Sequence, residues 1–150
     1  MITLKRLSKL KVDTTPLEPL ARAVLGERYD LSVVLCTNTL SHRLNRQFRG
    51  KDKPTNVLSF PVDKNLGELF LDLPLIKKEA PQFDADFQKH FIFLFIHGLL
   101  HLKGMDHGSK MEQAEKKLLA TWIKTNEKHR HRIRHRHGGH SSGGRGVEAR

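Results

Sequence analysis

Cysteine is almost missing from this chain: among 150 residues there is one, Cys36. A single thiol excludes an internal disulfide, and no cysteine cluster competes for a metal. Cys36 lies in an apolar run and reads as a buried core thiol, which is consistent with a reducing compartment. Long hydrophobic runs are missing too. The longest, Phe91 to Ile96, is far too short to span a bilayer. The opening MITLKRLSKL lacks the continuous apolar stretch of a signal peptide. These absences lead us to expect a soluble, cytoplasmic protein with no membrane partner. No internal repeat is present. Acid is in short supply, with 16 Asp and Glu against 27 Lys and Arg and a net charge of +11. Residues 128–150 hold seven of those cations and one acid, Glu148, so the body is only moderately basic by itself. That balance suits a polyanionic partner such as nucleic acid without requiring one.

What is present fits one domain with a real core. Met1 to Leu10 alternates like a strand. Asp13, Thr14, Thr15 and Pro16 announce a helix whose apolar positions are Leu17, Leu20, Ala21, Val24 and Leu25. Leu31 to Cys36 reads as a core strand. A helix follows Asn38 with apolar positions Leu40, Leu44 and Phe48. RGKDKPTN, from Arg49 to Asn56, reads as an exposed loop. Val57 to Phe60 is a short strand stopped by Pro61, and Glu68 to Leu71 pairs with it around Asn65-Leu66-Gly67. A short helix runs from Pro74 to Ala80. Asp84 or Asp86 then caps a long apolar helix that ends at Gly104. Ser109 and Glu112 fit a capping box for a last helix, with inner positions Met111, Ala114, Leu118, Trp122 and Ile123, ending near Asn126. The order predicts an α+β domain over 1–127 with a small sheet. Residues 128–150 are rich in His, Arg and Gly, the stretch 129–146 has one large apolar side chain, Ile133, and the segment is expected to be disordered.

The chemistry concentrates in FIFLFIHGLLHLKGMDH, residues 91–107. His97 and His101 are four apart, so a helix sets their Cβ atoms about 5–6 Å apart on one face. Gly104 lets the chain turn, and His107 can fold back as a third ligand. Three nitrogens leave a fourth tetrahedral position open, the arrangement of catalytic zinc, where a bound water ionises near neutral pH. A histidine pair at this spacing also occurs as ordinary hydrogen-bonded core. The metal reading is favoured because unpaired imidazole is costly in so apolar a helix and because a third histidine follows the glycine turn. Zinc peptidases of the HExxH type need glutamate after the first histidine, and this chain has Gly98. Asp106 is the nearest acid, and reads as a partner orienting a histidine, a base, or simply a turn cap. Arg49, Lys51 and Lys53 surround Gly50 in a loop that can contact phosphate or merely be solvated. His90 and His42 read as surface or cleft-edge residues.

RGKDKPTNVLSFP (Arg49–Pro61) and HGLLHLKGMDH (His97–His107) together resemble the YbeY family of bacterial endoribonucleases, also described as ribosomal RNA maturation factors. The second stretch agrees with that family's H-G-x-L-H-L-x-G-Y/M-D-H signature at every fixed position. LGELFL, Leu66–Leu71, resembles the intervening strand, with Glu68 where the family more often has aspartate. The resemblance implies a mixed four-stranded sheet with surrounding helices, related in outline to zinc peptidases. It implies that His97, His101 and His107 hold one zinc ion per chain and that Arg49 serves RNA cleavage. The implied activity is single-strand-preferring, metal-dependent endoribonuclease action in ribosomal RNA maturation and ribosome quality control. Ribosomal RNA would be the substrate, and the small ribosomal subunit and assembly factors the partners. Two other readings stand beside it: a non-catalytic ribosome-assembly factor with structural zinc, and a metallopeptidase, which Gly98 disfavours. The His/Arg-rich tail reads as a pH-sensitive polycation that adds non-specific RNA affinity. Weak metal binding by its histidines, or no function, are the other readings.

Overall fold

The computed structural model describes residues 1–136, with side-chain surroundings through Lys128. Four strands form one sheet: β1 (Ile2–Arg6), β2 (Asp30–Cys36), β3 (Val57–Asp63) and β4 (Leu66–Asp72). Their spatial order is β1-β2-β4-β3. β1 and β4 both run parallel to β2, and β3 closes an antiparallel hairpin on β4. The helices are α1 (Leu17–Leu25), α2 (Asn38–Arg49), α3 (Leu73–Glu79), α4 (Phe87–Leu102) and α5 (Ser109–Arg136), with a 3-10 turn at Ala80–Phe83. This is the expected α+β architecture. None of the described helices is long and apolar enough to cross a membrane.

Strand side chains alternate between the two sheet faces. Leu31, Val33, Leu35, Val57, Leu69 and Leu71 enter the main core with α1, α3, α4 and α5. α4 is apolar nearly all round because it has neighbours nearly all round. Phe91, Ile92, Phe95, Ile96 and Leu99 are fully buried on it, each worth roughly 1.5–3 kcal/mol of burial. Asp86 starts the helix by accepting the Lys89 amide at 2.8 Å.

α2 covers the opposite face, and its inner side is polar. Leu40 and Leu44 are only half-buried and Phe48 is 58% exposed, whereas Ser41 and Asn45 are buried. The reason lies on β4. Asp72, fully buried at the strand end, accepts the Ser41 hydroxyl at 2.7 Å and caps α3 through the Leu75 amide at 3.1 Å. Burial pushes the Asp72 carboxyl above its ordinary range. Beside it, Cys36 is buried as expected, and desolvation with the Asp72 charge raises its thiol to about 12.

Three expected boundaries move. β3 continues through Pro61 to Asp63, because an edge strand tolerates a missing N–H, and its register shifts between Pro61 and Asp63. α5 begins at Ser109 itself, so Ser109 lies inside the helix rather than capping it. The same helix passes Asn126 and the expected domain end at 127 and runs to Arg136. No glycine or proline interrupts it before Gly138, and its lysines, arginines and glutamate are good helix formers. The first part of the segment expected to be disordered is therefore helical. The expectation for 137–150 lies outside the described residues.

Candidate active site

α4 carries two of the histidines and the turn after it carries the third. Gly104 adopts φ 101, a left-handed conformation natural to glycine, and the chain reverses there. His97, His101 and His107 then offer ligand nitrogens that all lie within 4.8 Å of one another. The His97 and His101 Nε2 atoms are 3.1 Å apart. A tetrahedral ion with Zn–N bonds of about 2.0–2.1 Å needs nitrogens about 3.3–3.4 Å apart, so this pair already spans nearly that edge.

The other His97 nitrogen strengthens the fit. Nδ1 lies 3.1 Å from the carboxylate of Glu115, which is itself buried on α5. A carboxylate there makes Nδ1 the N–H donor and leaves the Nε2 lone pair pointing at His101. Two ring nitrogens facing each other at this distance need a proton or a cation between them. Burial holds the His101 pKa below its ordinary value, and the neighbouring His97, His107 and Arg49 charges act in the same direction. A histidine kept neutral is a ready metal ligand.

Glu115 was not among the residues singled out from sequence, yet a signal was there. It falls at the helical spacing of Met111, Leu118 and Trp122, so an acid occupies the inward stripe of α5. Asp106 does not take the part of orienting a histidine. It is exposed, and among the described residues no hydrogen bond joins it to a ring.

Gly98 has a packing cause. A Cβ there would stand 2.8 Å from Leu69 Cδ2 and 3.3 Å from Ser59 Oγ. Its carbonyl also accepts the Ser59 hydroxyl at 3.3 Å. α4 lies so close to the sheet that any side chain at this position would force Leu69 and Ser59 to move, which is a packing reason for glycine there.

The basic loop is tied down by backbone and buried polar groups. Gly50 ends α2 at φ 69 and bonds back to the Arg46 carbonyl. Asn45 Nδ2 donates to the Lys53 carbonyl at 2.8 Å, and the Thr55 amide donates to Ser41 Oγ at 3.3 Å. Thr55 and Asn56 hold the turn into β3, as expected, with the Asn56 carbonyl accepting the Asp72 amide at 2.9 Å. Asp52 pairs with His42 at 2.7 Å, which leaves Arg49, Lys51 and Lys53 exposed. The sequence-predicted cations thus lie close in the chain, Arg49 as the last residue of α2 and Lys51 and Lys53 on the anchored loop after it, and the Arg49 charge adds the smallest share to holding the His101 pKa down.

A cavity of about 380 Å³ opens beside the histidines, with His97 and His107 in its wall and Asn56, from the end of the basic loop, at its edge. His90 lines it as well. That ring is only 2% exposed, so it is a buried cleft residue rather than a surface one. Its Nε2 sits 2.6 Å from Glu79 Oε2, which also accepts Asn56 Nδ2 at 2.8 Å.

Comparisons with known proteins bear on this geometry. The family model described as Endoribonuclease YbeY matches residues 4–124. An Endoribonuclease YbeY of Persephonella marina is 38% identical over 97 residues, covering 59% of this chain and 63% of that protein. The Aliarcobacter butzleri protein of the same name is 35% identical over 113 residues, 71% of this chain and 79% of that one. The Ehrlichia ruminantium (strain Gardel) protein is 42% identical over 99 residues, again spanning 63% of the relative's length. Among solved structures, the solution structure of TM1509 from Thermotoga maritima superposes with a TM-score of 0.57 at 26% identity. That match covers 82% of this chain and 93% of the other.

Proposed function

This chain belongs to the YbeY family, and on that premise we propose that it is a zinc-dependent endoribonuclease cutting single-stranded RNA. The observation that carries the reading is the cluster of His97, His101 and His107 with Glu115 behind it and an anchored arginine loop beside it. Zinc suits three neutral imidazoles. When bound it supplies Lewis-acid activation at the phosphoryl group or the attacking oxygen.

The chain's own residues do the rest. Glu115 fixes the His97 tautomer. Arg49 binds the scissile phosphate and offsets the charge that grows on its oxygens as the bond breaks. Lys51 and Lys53 hold flanking phosphates. Asp106, exposed and next to His107, accepts the proton from the attacking hydroxyl. The biological setting we propose is ribosomal RNA maturation and ribosome quality control in the cytoplasm, with the small ribosomal subunit and its assembly factors as partners. The net charge of +11 suits so anionic a substrate.

The test is cleavage of matched single-stranded and duplex RNAs by protein purified without nickel resin, with and without a chelator. Metal-dependent cutting of the single strand is the expected result. Protein that keeps its metal and binds RNA but never cuts it would be a binding factor instead. Peptide hydrolysis in place of RNA cleavage would revive the peptidase.

A further inference from the structure

The cavity beside the histidines differs in chemistry from the basic loop. None of its lining residues is Lys or Arg. Its wall is instead aromatic and acidic. Phe83 stacks on His90 with ring centroids 4.7 Å apart and planes 16° apart, and Phe93 continues the stack at 6.2 Å and 12°. Phe93 in turn leans on His97, 6.4 Å away. Phe83 is the outer end of this ladder and is 58% exposed, unusual for so large an apolar ring. Two carboxylates face the same space. Glu115 is committed to His97, while Glu112 forms no ion pair among the described residues. The volume lies within the range of small-molecule sites.

Away from the metal that His97 and His107 would hold, such a cavity offers no cation to a second phosphate and welcomes a flat, uncharged ring. The inner faces of the ladder are taken up by its own stacking, and the exposed face of Phe83 at its outer end supplies a stacking surface. A carboxylate only accepts hydrogen bonds, so the ring should present donors side by side. Among the RNA bases, guanine does so with its N1–H and exocyclic amino group. Adenine and cytosine set an acceptor beside their amino group, and uracil has a lone N–H between two carbonyls.

We propose that this cavity is a base subsite that takes one guanine of the RNA, stacked on the exposed face of Phe83 at the end of the Phe83–His90–Phe93 ladder and hydrogen-bonded to Glu112. The proposal rests on the ribonuclease reading for its substrate. The phosphate chain would run over Arg49, Lys51 and Lys53 while the base turns into the cavity beside His97 and His107. Cleavage should therefore prefer a guanosine at one fixed position relative to the cut.

Two measurements test it on the full chain loaded with zinc. The first is titration of the four nucleoside monophosphates, followed by NMR. The phosphate is common to all four, so differences report the base. Guanosine monophosphate should bind about tenfold more tightly than uridine monophosphate. Phe83→Ala should weaken it about tenfold, with Phe83→Tyr restoring it, and Glu112→Gln should remove the preference for guanine. Equal affinity for all four, or an unchanged Phe83→Ala variant, would overturn the proposal. The second is cleavage of RNAs carrying guanosine, inosine or an abasic site at successive positions. One position should show guanosine ahead of inosine and inosine ahead of abasic, with the order flattened in Phe83→Ala. Cutting that ignores the base everywhere sinks the subsite and leaves the nuclease standing. Selective guanosine monophosphate binding without any RNA cleavage does the reverse.

Discussion

α4 and α2 lie on opposite faces of one sheet, and the proposed mechanism draws on residues from both. α4 is held by packing. Its buried residues are almost all apolar, and its histidines emerge where the apolar surface runs out. α2 is held by hydrogen bonds. Its buried residues are Ser41 and Asn45, and they reach Asp72, Thr55 and the Lys53 carbonyl. The difference suits the two tasks we propose. A metal ligand set needs a stiff scaffold, because two nitrogens must stay about 3 Å apart. A phosphate-binding loop needs its backbone fixed while its cations remain exposed, and polar anchors do this without covering them.

If that contrast is right, the two sides should fail in different ways. The largest effect is a dissociation of metal from catalysis. His101→Ala should lose bound metal, and RNA cleavage should fall by on the order of 1000-fold. Arg49→Ala should keep a full complement of metal yet lose about 100- to 1000-fold in kcat/KM. Elemental analysis beside the cleavage assay separates them, and metal loss from Arg49→Ala would break the distinction. Next comes Glu115→Gln, which removes the carboxylate from His97 but keeps its shape. Metal affinity measured against a competing chelator should drop about 10- to 100-fold.

The α2 side should respond in stability. Ser41→Ala leaves the buried Asp72 carboxylate short of a donor and should cost about 1–3 kcal/mol in urea unfolding. It should also raise KM for RNA, because Ser41 holds the loop at Thr55. Asp72 gives this side a pH signature. Burial raises its folded-state pKa above the unfolded value, so the folded state is penalised as pH rises from the unfolded to the folded value. Asp72→Asn carries no such penalty. Its loss of stability relative to the parent should be greatest at the acid end of that window and shrink as pH rises. A constant or growing difference would contradict the assignment.

How legible all this was in the sequence follows the same division. The apolar run and the spacing of His97, His101 and His107 exposed the three-histidine cluster, because packing writes itself as periodicity. Glu115 escaped because an acid on a helix is ordinarily solvated, although its place on the Met111–Trp122 stripe marked it as inward. The α2 side was only half legible, for a deeper reason. Leu40, Leu44 and Phe48 repeat at helical spacing and Phe48 does meet Phe60 of β3, with ring centroids 5.1 Å apart, but the fully buried positions on that side are the polar Ser41 and Asn45. Asp72, distant in sequence and buried at a strand end, selects Ser41 instead. No local pattern announces such a partnership. Pro61 was read as a stop because sequence alone does not say that β3 is an edge.

The smallest expected effect is at the C-terminal end. Residues 129–150 carry six arginines and one acid. Removing them should weaken RNA binding a few fold at low salt and make its salt dependence shallower, about 0.7 per lost phosphate contact on a single strand. Identical salt slopes for the two chains would show that these arginines make no contact with RNA.

The central claim is that the three histidines hold a metal that RNA cleavage requires. Zinc titrated into chelator-stripped protein, with RNA cleavage followed at each addition, tests it most directly. The account predicts that cutting is absent at the start and returns in proportion to zinc, reaching its plateau at one ion per chain. The His101→Ala protein should stay silent throughout. Full cleavage by the stripped protein, or by His101→Ala, would contradict it.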